Sequence, residues 1–409
     1  MNSDSATANT LPFTHLRILE LASVLAGPQV GQFFAELGAE VLKIESPTGD
    51  ITRTWKTSAE THASATPEAS VSAYFSTSNW GKSSLVLDLT TAAGQSKLHQ
   101  LAAQADVIIA SYKPGDAEKL RADYATLAAE NPRLVYGHLT GYGPDNVRAG
   151  YDAVLQAEAG FMYLNAAGPG QPPQKMPVAM VDLLAAHQLK EGLLTALFQR
   201  ERTGLGALVQ VSLLDSALVS LANQAATYLV TGTDPQPLGS GHPSIVPYGT
   251  VYRAANGRQL VLAVGSDGQF RHLCAALGQP EWATDARFQT NTARVAHRAE
   301  LESLLTECIA AVDGDVLLAE LERSTVPAGA VRSVGEALRL PSAAGMLLPA
   351  VGTSAAGLRT VAFRSPHWPV AAQLGAPPAL GAAGSEIASH DWLGPNETTA
   401  GAASVPPIA

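Results

Sequence analysis

The stretch 16-LRILELASVLAGPQVGQFFAELGAEVLKIES-46 carries, in order, the signals of a strand, a helix and a second strand. LRILELA (16–22) and EVLKIES (40–46) are short, largely apolar runs, and the residues near 28–38 between them have helical character. Apolar runs of this length, bounded by polar or turn-forming residues, are typical of buried strands. The stretch therefore predicts a βαβ unit, in which a helix connects two parallel strands.

The same alternation continues to about residue 145. Its further members are strands predicted at SLVLDL (84–89), DVIIASY (106–112) and RLVYGHL (133–139), and helices near 91–104 and 116–130. Asp88 and the Thr90–Thr91 pair offer an N-terminal cap for the helix near 91–104. The series predicts an α/β fold with a mostly parallel, doubly wound sheet, whose ligands bind near the carboxyl ends of the strands.

The bulk composition indicates a folded protein of more than one domain. The chain has 409 residues, of which 46% are hydrophobic and 15% are charged. This length exceeds the size at which one hydrophobic core keeps growing, so two domains are expected. The formal net charge of −10 argues against a general nucleic-acid binder, which would need a basic face.

Targeting and redox signals predict a soluble, cytoplasmic protein. The N-terminus MNSDSATANTLPF has neither the basic region nor the apolar region of a secretory signal. The most apolar segment, around 178–198, is interrupted by charged residues such as Asp182 and Lys190, which argues against a membrane span. Cys274 and Cys308 are too few for a disulfide scaffold and too far apart for a C-x-x-C site, so a reducing compartment is expected.

The glycines that follow the first strand do not form a dinucleotide-binding fingerprint. The sequence there is LASVLAGPQVGQF, with Gly27 and Gly31 but no G-x-G-x-x-G, and GLG at 204–206 follows a helix instead of a strand. The sequence also lacks a Walker A loop. An NAD-dependent oxidoreductase is therefore disfavoured.

The second half of the chain predicts a smaller α/β unit. Residues 180–203 are predicted as one long helix that ends at Gly204, and 209–230 as a strand that leads into another helix. The segment 231–249 is loop by composition, and Asn256-Gly257 between two alternating runs predicts a β-hairpin. Further helices are predicted near 267–277, 298–311 and 315–324.

Several segments of the chain follow one another in a distinctive order. They begin with residues 16–55 and include NWGKSSLVLDL (79–89), ADVIIASYKPG (105–115), NPRLVYGHLTGYG (131–143), GYDAVLQAEAGFM (150–162), QRERTGLGALVQVSLLDS (199–216) and HPSIVPYGTVYRAANG (242–257). In sequence and order these segments resemble the class III CoA-transferases of the formyl-CoA and carnitine CoA-transferase type. The resemblance extends roughly from residue 14 to 380, and one departure is PPALGAAGSE (377–386), which lacks the family's usual Glu-His-Thr.

The resemblance implies a fold that composition alone does not predict. It implies a Rossmann-like large domain whose N-terminal part spans 14–230, a smaller inserted α/β domain at 231–340, and a C-terminal segment at 341–409 that returns to the large domain. It also implies a ring-shaped chain that threads through a second copy in an interlocked homodimer.

Asp182 lies at the predicted first turn of the helix over 180–203, where an aspartate is most often a cap that contributes about 1 kcal/mol. The resemblance places it where class III CoA-transferases carry their nucleophilic aspartate. A carboxylate nucleophile forms a mixed anhydride with an acyl group, and the CoA thiolate can reopen that anhydride without losing the energy of the thioester. A helix N-terminus would help to keep the carboxylate ionised, so the cap and the nucleophile are compatible readings.

The resemblance also implies an active-site loop and a set of CoA contacts. Gly239, Ser240, Gly241 and His242 match a mobile glycine loop that lies over the catalytic aspartate in the formyl-CoA enzyme; an interdomain linker is an equally good interpretation. Lys113 is a candidate for contact with the nucleotide and phosphates of CoA. Leu25 replaces a glutamine that lies near the reacting centre in the formyl-CoA enzyme, which argues against formyl and oxalate substrates. The predicted CoA contacts are Val24, Ala26, Leu87, Tyr112, Lys119 and Arg148. Of these, Tyr112 and Lys119 match positions that meet the nucleotide and its phosphates, and Arg148 is a nearby candidate for the same contact.

Each of these contacts has an ordinary structural alternative. Val24, Ala26 and Leu87 would be core residues at strand ends, and an exposed lysine is usually only solvated. The predicted ligand is a CoA thioester, bound as a substrate together with a carboxylic acid acceptor, and no permanently bound cofactor or metal is expected. Membrane and nucleic-acid partners are not expected.

Two other functions stay open at this point. An α-methylacyl-CoA racemase shares the fold but needs a His-Asp pair, where this chain has Tyr151-Asp152; a tyrosine with a pKa near ~10 is a poor base at neutral pH. Asp267 matches the racemase glutamate only loosely. The second alternative is a non-catalytic CoA-binding homologue, against which only the intact Asp182 argues.

Overall fold

The structure is a computed structural model that describes residues 10–63, 71–352 and 354–384. Of the predicted C-terminal segment, residues 385–409 lie outside the described part of the chain. The chain separates into two compact units. The first unit contains the residues up to Ala159, then Pro177–Leu221 and the residues from Gly345 onward; the second contains Gly160–Met176 and Ala222–Ala344.

The first unit is built on a six-stranded sheet in which every neighbouring pair of strands is parallel. Its strands are β1 (Arg17–Leu21), β2 (Glu40–Glu45), β3 (Lys82–Val86), β4 (Val107–Ala110), β5 (Val135–Thr140) and β6 (Ala207–Ser212). They lie in the order β3-β2-β1-β4-β5-β6, which confirms the predicted doubly wound parallel sheet. The order reverses between β1 and β4, and ligands of such sheets bind at the carboxyl ends of the strands beside that reversal.

Helices connect these strands and continue through the second unit. Those up to the last strand of the sheet are α1 (Ala26–Glu36), α2 (Ser58–Ala63), α3 (Ala73–Ser76), α4 (Ala92–Ala102), α5 (Asp116–Lys119), α6 (Tyr124–Glu130), α7 (Asp152–Glu158), α8 (Phe161–Leu164) and α9 (Met180–Thr203). The later ones are α10 (Leu213–Val219), α11 (Ala222–Thr231), α12 (Asp267–Ala276), α13 (Asn291–Ala296), α14 (Arg298–Ala310), α15 (Gly314–Arg323) and α16 (Val334–Leu338). Short 3₁₀ segments cover Ile51–Thr54, Pro280–Ala283 and Pro341–Met346.

Local capping explains where several helices begin and end. The Thr91 hydroxyl accepts a hydrogen bond from the Gly94 N–H at 3.1 Å and so caps α4, as the sequence predicts. The helix predicted over 116–130 is instead two helices, because Arg121 adopts a φ of 56° and Asp123 caps α6. A residue with positive φ interrupts a right-handed helix.

The two faces of the parallel sheet differ in chemistry. On one face, apolar residues of β1, β2 and β3, such as Leu19, Leu42 and Leu85, pack with α4 in a buried cluster. The opposite face of β1 and β2 carries Glu20 and Lys43, which are both completely buried. Polar groups are buried in protein cores when partners satisfy them, so this face has a special local arrangement.

Glycines allow α1 and α9 to lie unusually close to the strands. A Cβ at Gly31 of α1 would overlap the Glu20 carboxylate, and a Cβ at Gly192 of α9 would lie 2.5 Å from Val209 Cγ1 of β6. Gly31 is thus required for helix–strand packing, which explains a glycine after β1 without a dinucleotide fingerprint. Close packing fixes the start of α9 at the carboxyl edge of the sheet, because a crossover helix runs antiparallel to the parallel strands that it joins.

The chain after Gly345 binds to the first unit through buried side chains of α1 and β3. The Glu36 carboxylate of α1 accepts hydrogen bonds from the backbone N–H of Thr360 at 2.6 Å and of Val361 at 3.2 Å. The Ser84 side chain of β3 accepts from the Gly381 N–H at 3.0 Å. Two short strands, β10 (Leu347–Leu348) and β11 (Gly357–Leu358), pair antiparallel in this segment.

The second unit contains a three-stranded antiparallel sheet covered by helices. Its strands are β7 (Tyr248–Arg253), β8 (Gln259–Ala263) and β9 (Ala328–Ala330). Asn256-Gly257 lies in the β7–β8 turn, where Gly257 has a φ of 81°, so the predicted hairpin is confirmed. Buried residues such as Phe270, Leu273 and Leu305 of α12 and α14 form the core of this unit.

Along the described residues, no helix combines the length and the apolar character needed to cross a bilayer.

Candidate active site

Asp182 occupies the third position of α9, and its residue surface is only 9% exposed. The residue that precedes the helix, Ala179, has no side chain that could cap it. The first turn of α9 lies at the carboxyl edge of the sheet, where parallel α/β folds place their ligands. Asp182 is therefore a buried carboxylate at the edge of the sheet where parallel α/β folds bind their ligands.

Asp152, the first residue of α7, caps α9 from outside the helix. Its Oδ1 accepts a hydrogen bond from the Val181 N–H at 2.8 Å, and its Oδ2 accepts from Gln156 Nε2 at 2.8 Å. A carboxylate that binds a free N–H at a helix N-terminus stabilises the helix. The capping role that the sequence suggests for Asp182 is thus performed by Asp152, and Asp182 is free for another role.

The environment of Asp182 opposes its ionisation. Burial, and secondly the negative charge of Asp152, raise the pKa of Asp182 to about 7. Among the described residues, none donates a side-chain or capping hydrogen bond to its carboxylate and no cation forms an ion pair with it. The helix N-terminus does not keep the pKa low, because desolvation of a carboxylate outweighs a dipole effect of this size.

One aromatic residue near this carboxylate, Tyr74, is not singled out by the sequence. Burial raises the pKa of Tyr74, and the charges of Asp182, Asp152 and Asp50 raise it further, so the phenol lies within electrostatic range of all three carboxylates. The Tyr74 ring packs edge-on against Trp55, with the ring centroids 5.0 Å apart. Tyr74 lies within the segment SAYF on the four-residue helix α3, and no spacing pattern relates it to Asp182.

The turn after β1 contains the predicted contacts Val24 and Ala26. Ala26 is buried at the start of α1, and Val24 adopts a φ of 71°, a left-handed conformation that β-branched residues rarely adopt. The Val24 N–H donates to the two carboxylate oxygens of Asp50 at 3.4 and 3.2 Å. A backbone outlier held by a buried carboxylate at the carboxyl edge is typical of a functional turn.

A buried network of charged side chains, Glu20, Lys43, Asp50 and Lys82, lies beneath this turn. Lys43 Nζ is 3.0 Å from Glu20 Oε1 and 3.1 Å from Asp50 Oδ2, and Lys82 Nζ is 2.6 Å from Glu20 Oε2. Burial lowers the pKa of Lys82 to about 8 even though Glu20 opposes the shift. The network contains two carboxylates and two ammonium groups, so its charges compensate one another.

Leu87 and Tyr112, the predicted contacts after β3 and β4, are partly buried and pack against the apolar cluster of the sheet. Burial raises the pKa of the Tyr112 phenol to about 12. The Tyr112 carbonyl accepts a hydrogen bond from His138 Nε2 at 3.0 Å. Both residues therefore lie at the carboxyl edge of the sheet with part of their side chains in the core.

Lys119 and Arg148, the predicted phosphate contacts, are exposed and already paired. Lys119 Nζ lies 2.9 Å from Asp116 on the same helix, and the Lys119 side chain is 75% exposed. Arg148 pairs with Glu158, and its guanidinium lies 4.2 Å from the centroid of the Tyr142 ring. Exposed ion pairs of this kind are weak, so a phosphate can replace the carboxylate partner.

The glycine-rich loop belongs to the second unit and is held there by its own contacts. The His242 N–H donates to the Tyr248 carbonyl at 3.0 Å, and Arg298 Nη2 donates to the His242 carbonyl at 2.7 Å. Gly239 has a φ of 59°, and a Cβ at Gly249 would overlap the Ser240 carbonyl. Glycine is thus required at Gly239 in the loop and at Gly249 of β7 for reasons of backbone geometry.

The residues considered for a racemase do not form an acid–base pair of that type. Tyr151 is 62% exposed, and Asp152 is engaged in capping α9. Asp267, whose side chain is 44% exposed, forms an ion pair at 2.8 Å with the fully buried Arg294 of the second unit. The Asp267 carboxylate is therefore already engaged by a guanidinium group.

Comparisons with known proteins extend over most of the chain. The sequence model described as "CoA-transferase family III" matches residues 14–383. The succinate–glutarate CoA-transferase of Agrobacterium fabrum is 41% identical over 330 residues, which cover 80% of this chain and 81% of that protein. The acetyl-CoA:oxalate CoA-transferase of Acetobacter aceti is 32% identical over 364 residues, 87% of this chain and 91% of that protein.

A solved structure shows the same fold. The crystal structure of a CAIB/BAIF family protein from Brucella suis superposes with a TM-score of 0.80 at 38% sequence identity and covers 93% of this chain and 100% of that chain.

Proposed function

This chain belongs to CoA-transferase family III and is a CoA-transferase, and we propose that Asp182 is the nucleophile through which it moves CoA from one carboxylic acid to another. The observation that carries the proposal is the environment of Asp182: a buried carboxylate at a helix start, without a cationic partner among the described residues and with a pKa of about 7. Such a group is desolvated and close to its ionisation point at neutral pH, which suits a carboxylate nucleophile.

The proposed reaction conserves the thioester through two kinds of acyl intermediate. One Asp182 oxygen attacks the thioester carbonyl, the C–S bond breaks, and CoA leaves as a thiolate, which gives a mixed anhydride. The thiolate then attacks the Asp182 carbonyl carbon of that anhydride and releases the donor acid as a carboxylate. The resulting aspartyl-CoA thioester is attacked by the acceptor carboxylate, which forms a second anhydride. The released thiolate attacks the acceptor's acyl carbon, so the new acyl-CoA forms and the Asp182 carboxylate is restored.

The surroundings of Asp182 support these steps in two ways. Burial limits the access of water, which would otherwise hydrolyse the anhydride. Asp152 fixes the first turn of α9 through the Val181 N–H, so the attacking carboxylate is held on a rigid element. The negative charge of Asp152 also makes the uncharged acylated form of Asp182 more favourable than the carboxylate, because acylation removes the repulsion.

The proposed CoA contacts lie along the carboxyl edge of the first unit. Val24 and Ala26 follow β1, Leu87 follows β3, and Tyr112 follows β4, which matches the ligand crevice of a doubly wound sheet. Lys119 and Arg148 would exchange Asp116 and Glu158 for the phosphates of CoA. Gly239, Ser240, Gly241 and His242 stay a prediction from the resemblance; the hydrogen bonds described for them are to residues of the second unit.

We propose dicarboxylic acids as the acyl donor and acceptor. The Agrobacterium fabrum relative is named for succinate and glutarate, at a higher identity than the Acetobacter aceti relative named for oxalate. Leu25, the residue immediately before α1, is buried and apolar, which favours longer acids over the small polar ones. The panel of acids tested should therefore run from oxalate through succinate to glutarate.

We propose further that the enzyme is an interlocked homodimer of the cytoplasm. Large apolar side chains are strongly exposed in each unit: Phe198 at 69% and Val219 at 68% in the first, and Leu229 at 80% and Val230 at 85% in the second. Apolar exposure on this scale is typical of a protein interface. Both cysteines are free thiols, which fits a reducing compartment. Sedimentation equilibrium at several concentrations would show a dimer mass throughout; a monomer mass would refute the assembly.

The nucleophile is tested by exchange and trapping. The protein is incubated with succinyl-CoA and ¹³C-labelled acids, and mass spectrometry follows labelled acyl-CoA, while hydroxylamine converts acylated Asp182 to a hydroxamate. We expect Asp182→Asn to lower the exchange rate at least about a thousandfold, since the amide cannot form the anhydride. Asp215→Asn is the matched control, because Asp215 is the third residue of α10 as Asp182 is of α9.

Three results would contradict the proposal. An Asp182→Asn protein that exchanges acids at the native rate would exclude this nucleophile. A hydroxamate found at another aspartate or glutamate would relocate it. Solvent deuterium at the α-carbon of the acyl group without acyl exchange would indicate a racemase instead.

A further inference from the structure

Val24 is a strained residue at the sheet reversal point, and the carboxylate that holds it belongs to a separate part of the chain. Its φ of 71° lies in the left-handed region, where a β-branched side chain collides with its own backbone. Its N–H donates to Asp50 Oδ1 and Oδ2 at 3.4 and 3.2 Å. A conformation of this kind persists only where surrounding contacts enforce it.

Asp50 is held in place independently of the turn that it contacts. Its side chain is 1% exposed, lies 3.1 Å from Lys43 Nζ, and accepts from the Thr52 N–H at 3.0 Å and the Thr52 hydroxyl at 2.8 Å. These contacts fix the orientation of the Asp50 carboxylate without any contribution from Val24. A buried charge with this many partners has one position only, because any displacement would leave a charged oxygen unsatisfied.

The two residues that precede Val24 are anchored in the same region. The Ala22 carbonyl accepts from Lys43 Nζ at 2.7 Å, and the Ser23 N–H donates to Ser111 Oγ at 3.3 Å, just after β4. Three successive residues of the turn are thus tied to the buried network or to the neighbouring strand end. The turn spans the point between β1 and β4 where the order of the sheet reverses.

We propose that Asp50 is a positioning residue for CoA: its buried carboxylate, fixed by Lys43, holds Val24 at positive φ and so orients the backbone of the turn after β1 toward the thioester end of the substrate. This inference rests on the proposed binding of CoA at that turn. Without the carboxylate the turn relaxes to a negative φ at Val24, and the direction of the peptide groups on both sides of it changes. The binding surface of the turn is then lost, while the sheet and α1 are retained.

Asp50→Asn tests the inference by calorimetry of CoA binding and by steady-state kinetics. An asparagine at this place directs an NH₂ group at Lys43 Nζ or at the Val24 N–H, so one of the two contacts is lost. We expect the Kd for CoA and the KM for acyl-CoA to rise about tenfold, with the KM for the acceptor acid unchanged. Asp50→Glu is a second variant, which keeps a charge for Lys43 but displaces the carboxylate from Val24, and the same rise is expected.

Asp106→Asn is the matched control for lost stability. Asp106 lies just before β4, at the opposite edge of the sheet, and pairs with the buried Arg200 at 3.0 Å. It also accepts from the Arg17 N–H at 2.9 Å. We expect this variant to lose thermal stability without a change in the Kd for CoA, since Asp106 does not contact the turn.

A double-mutant cycle with Val24→Gly tests whether Asp50 affects CoA binding through the conformation of Val24. Glycine adopts a φ near 71° without help, so the tenfold penalty of Asp50→Asn should shrink to less than about threefold when residue 24 is glycine. An equal penalty in both backgrounds would overturn the inference, as would a Kd for CoA that does not rise in Asp50→Asn or Asp50→Glu. Because CoA binding is measured without turnover, these outcomes are independent of whether Asp182 is the nucleophile.

Discussion

Two sets of carboxylates at the carboxyl edge of the first unit differ in their partners. Glu20 and Asp50, in the buried network, each lie within about 3 Å of an ammonium group. Asp182 and Asp152 lie at the start of α9, where no cation among the described residues pairs with either. Burial alone would lower the pKa of Lys43, yet Glu20 and Asp50 raise it, whereas the pKa of Asp182 rises to about 7.

The difference separates a rigid support from a reactive group. Charged groups with close partners of opposite sign bind those partners and fix the backbone around them. An uncompensated buried carboxylate is destabilised as an anion, so any reaction that neutralises it becomes more favourable. The same physical condition, burial, therefore has opposite consequences in the two sets.

The largest effect on stability is expected when Glu20 and Asp50 lose the ammonium group that pairs with both. Lys43→Met removes the ammonium group that Glu20 and Asp50 share, and we expect the free energy of unfolding to fall by about 3–5 kcal/mol. Urea denaturation followed by circular dichroism measures it. Arg323→Met, which removes an exposed pair with Glu320, should change the same quantity by less than about 0.5 kcal/mol. Equal effects of the two substitutions would show that the network contributes no more than a surface pair.

Removal of the unpaired charge of Asp182 should stabilise the protein. Since the folded state raises the pKa of Asp182 from 3.8 to about 7, it binds that proton more tightly than the unfolded chain does. The stability that this contributes is complete below pH ~4 and is lost as the pH rises through ~7. We therefore expect Asp182→Asn to raise the free energy of unfolding by about 4 kcal/mol at pH 8 and by less than about 1 kcal/mol at pH 4.

Thermal or urea unfolding of both proteins at the two pH values measures this difference. A gain of the same size at pH 4 would show that the effect comes from packing or hydrogen bonding and not from the ionised carboxylate.

The smallest effect concerns the repulsion between the two carboxylates. In the native enzyme, kcat/KM for acyl-CoA should rise with pH along a limb whose midpoint is near the pKa of Asp182, about 7. Asp152→Asn removes the nearby charge but leaves the burial, which is the larger cause, so the midpoint should move down by only about half a unit. The pH dependence of kcat/KM in both proteins measures this displacement. An unchanged midpoint would show that burial alone raises the pKa of Asp182.

The sequence predicted those features that depend on neighbouring residues. The helix α9 was predicted at its observed bounds, because Gly204 ends it with a φ of 75° in the way that a helix-terminal glycine does. The parallel sheet followed from the alternation of apolar runs with helices. The break in the helix predicted over 116–130 was missed, since nothing in the residue types around Arg121 requires a positive φ.

The relations between distant residues could not be predicted in the same way. The buried network depends on the register that places Glu20 beside Lys43 in adjacent strands, and a single sequence does not specify that register. Asp152 contacts a helix 29 positions further along the chain, and only the packing of α7 against α9 brings them together. Tyr74 was missed for the same reason.

The attachment of the chain after Gly345 has a consequence for the order in which the protein is made. Glu36 receives its backbone partners from Thr360 and Val361, more than 320 positions later, and residues of the second unit are synthesised in between. On a translating ribosome, the Glu36 carboxylate therefore lacks these backbone partners until Thr360 and Val361 have emerged. Contacts of such long sequence separation slow folding, and a nascent chain in this condition is a natural client for chaperones.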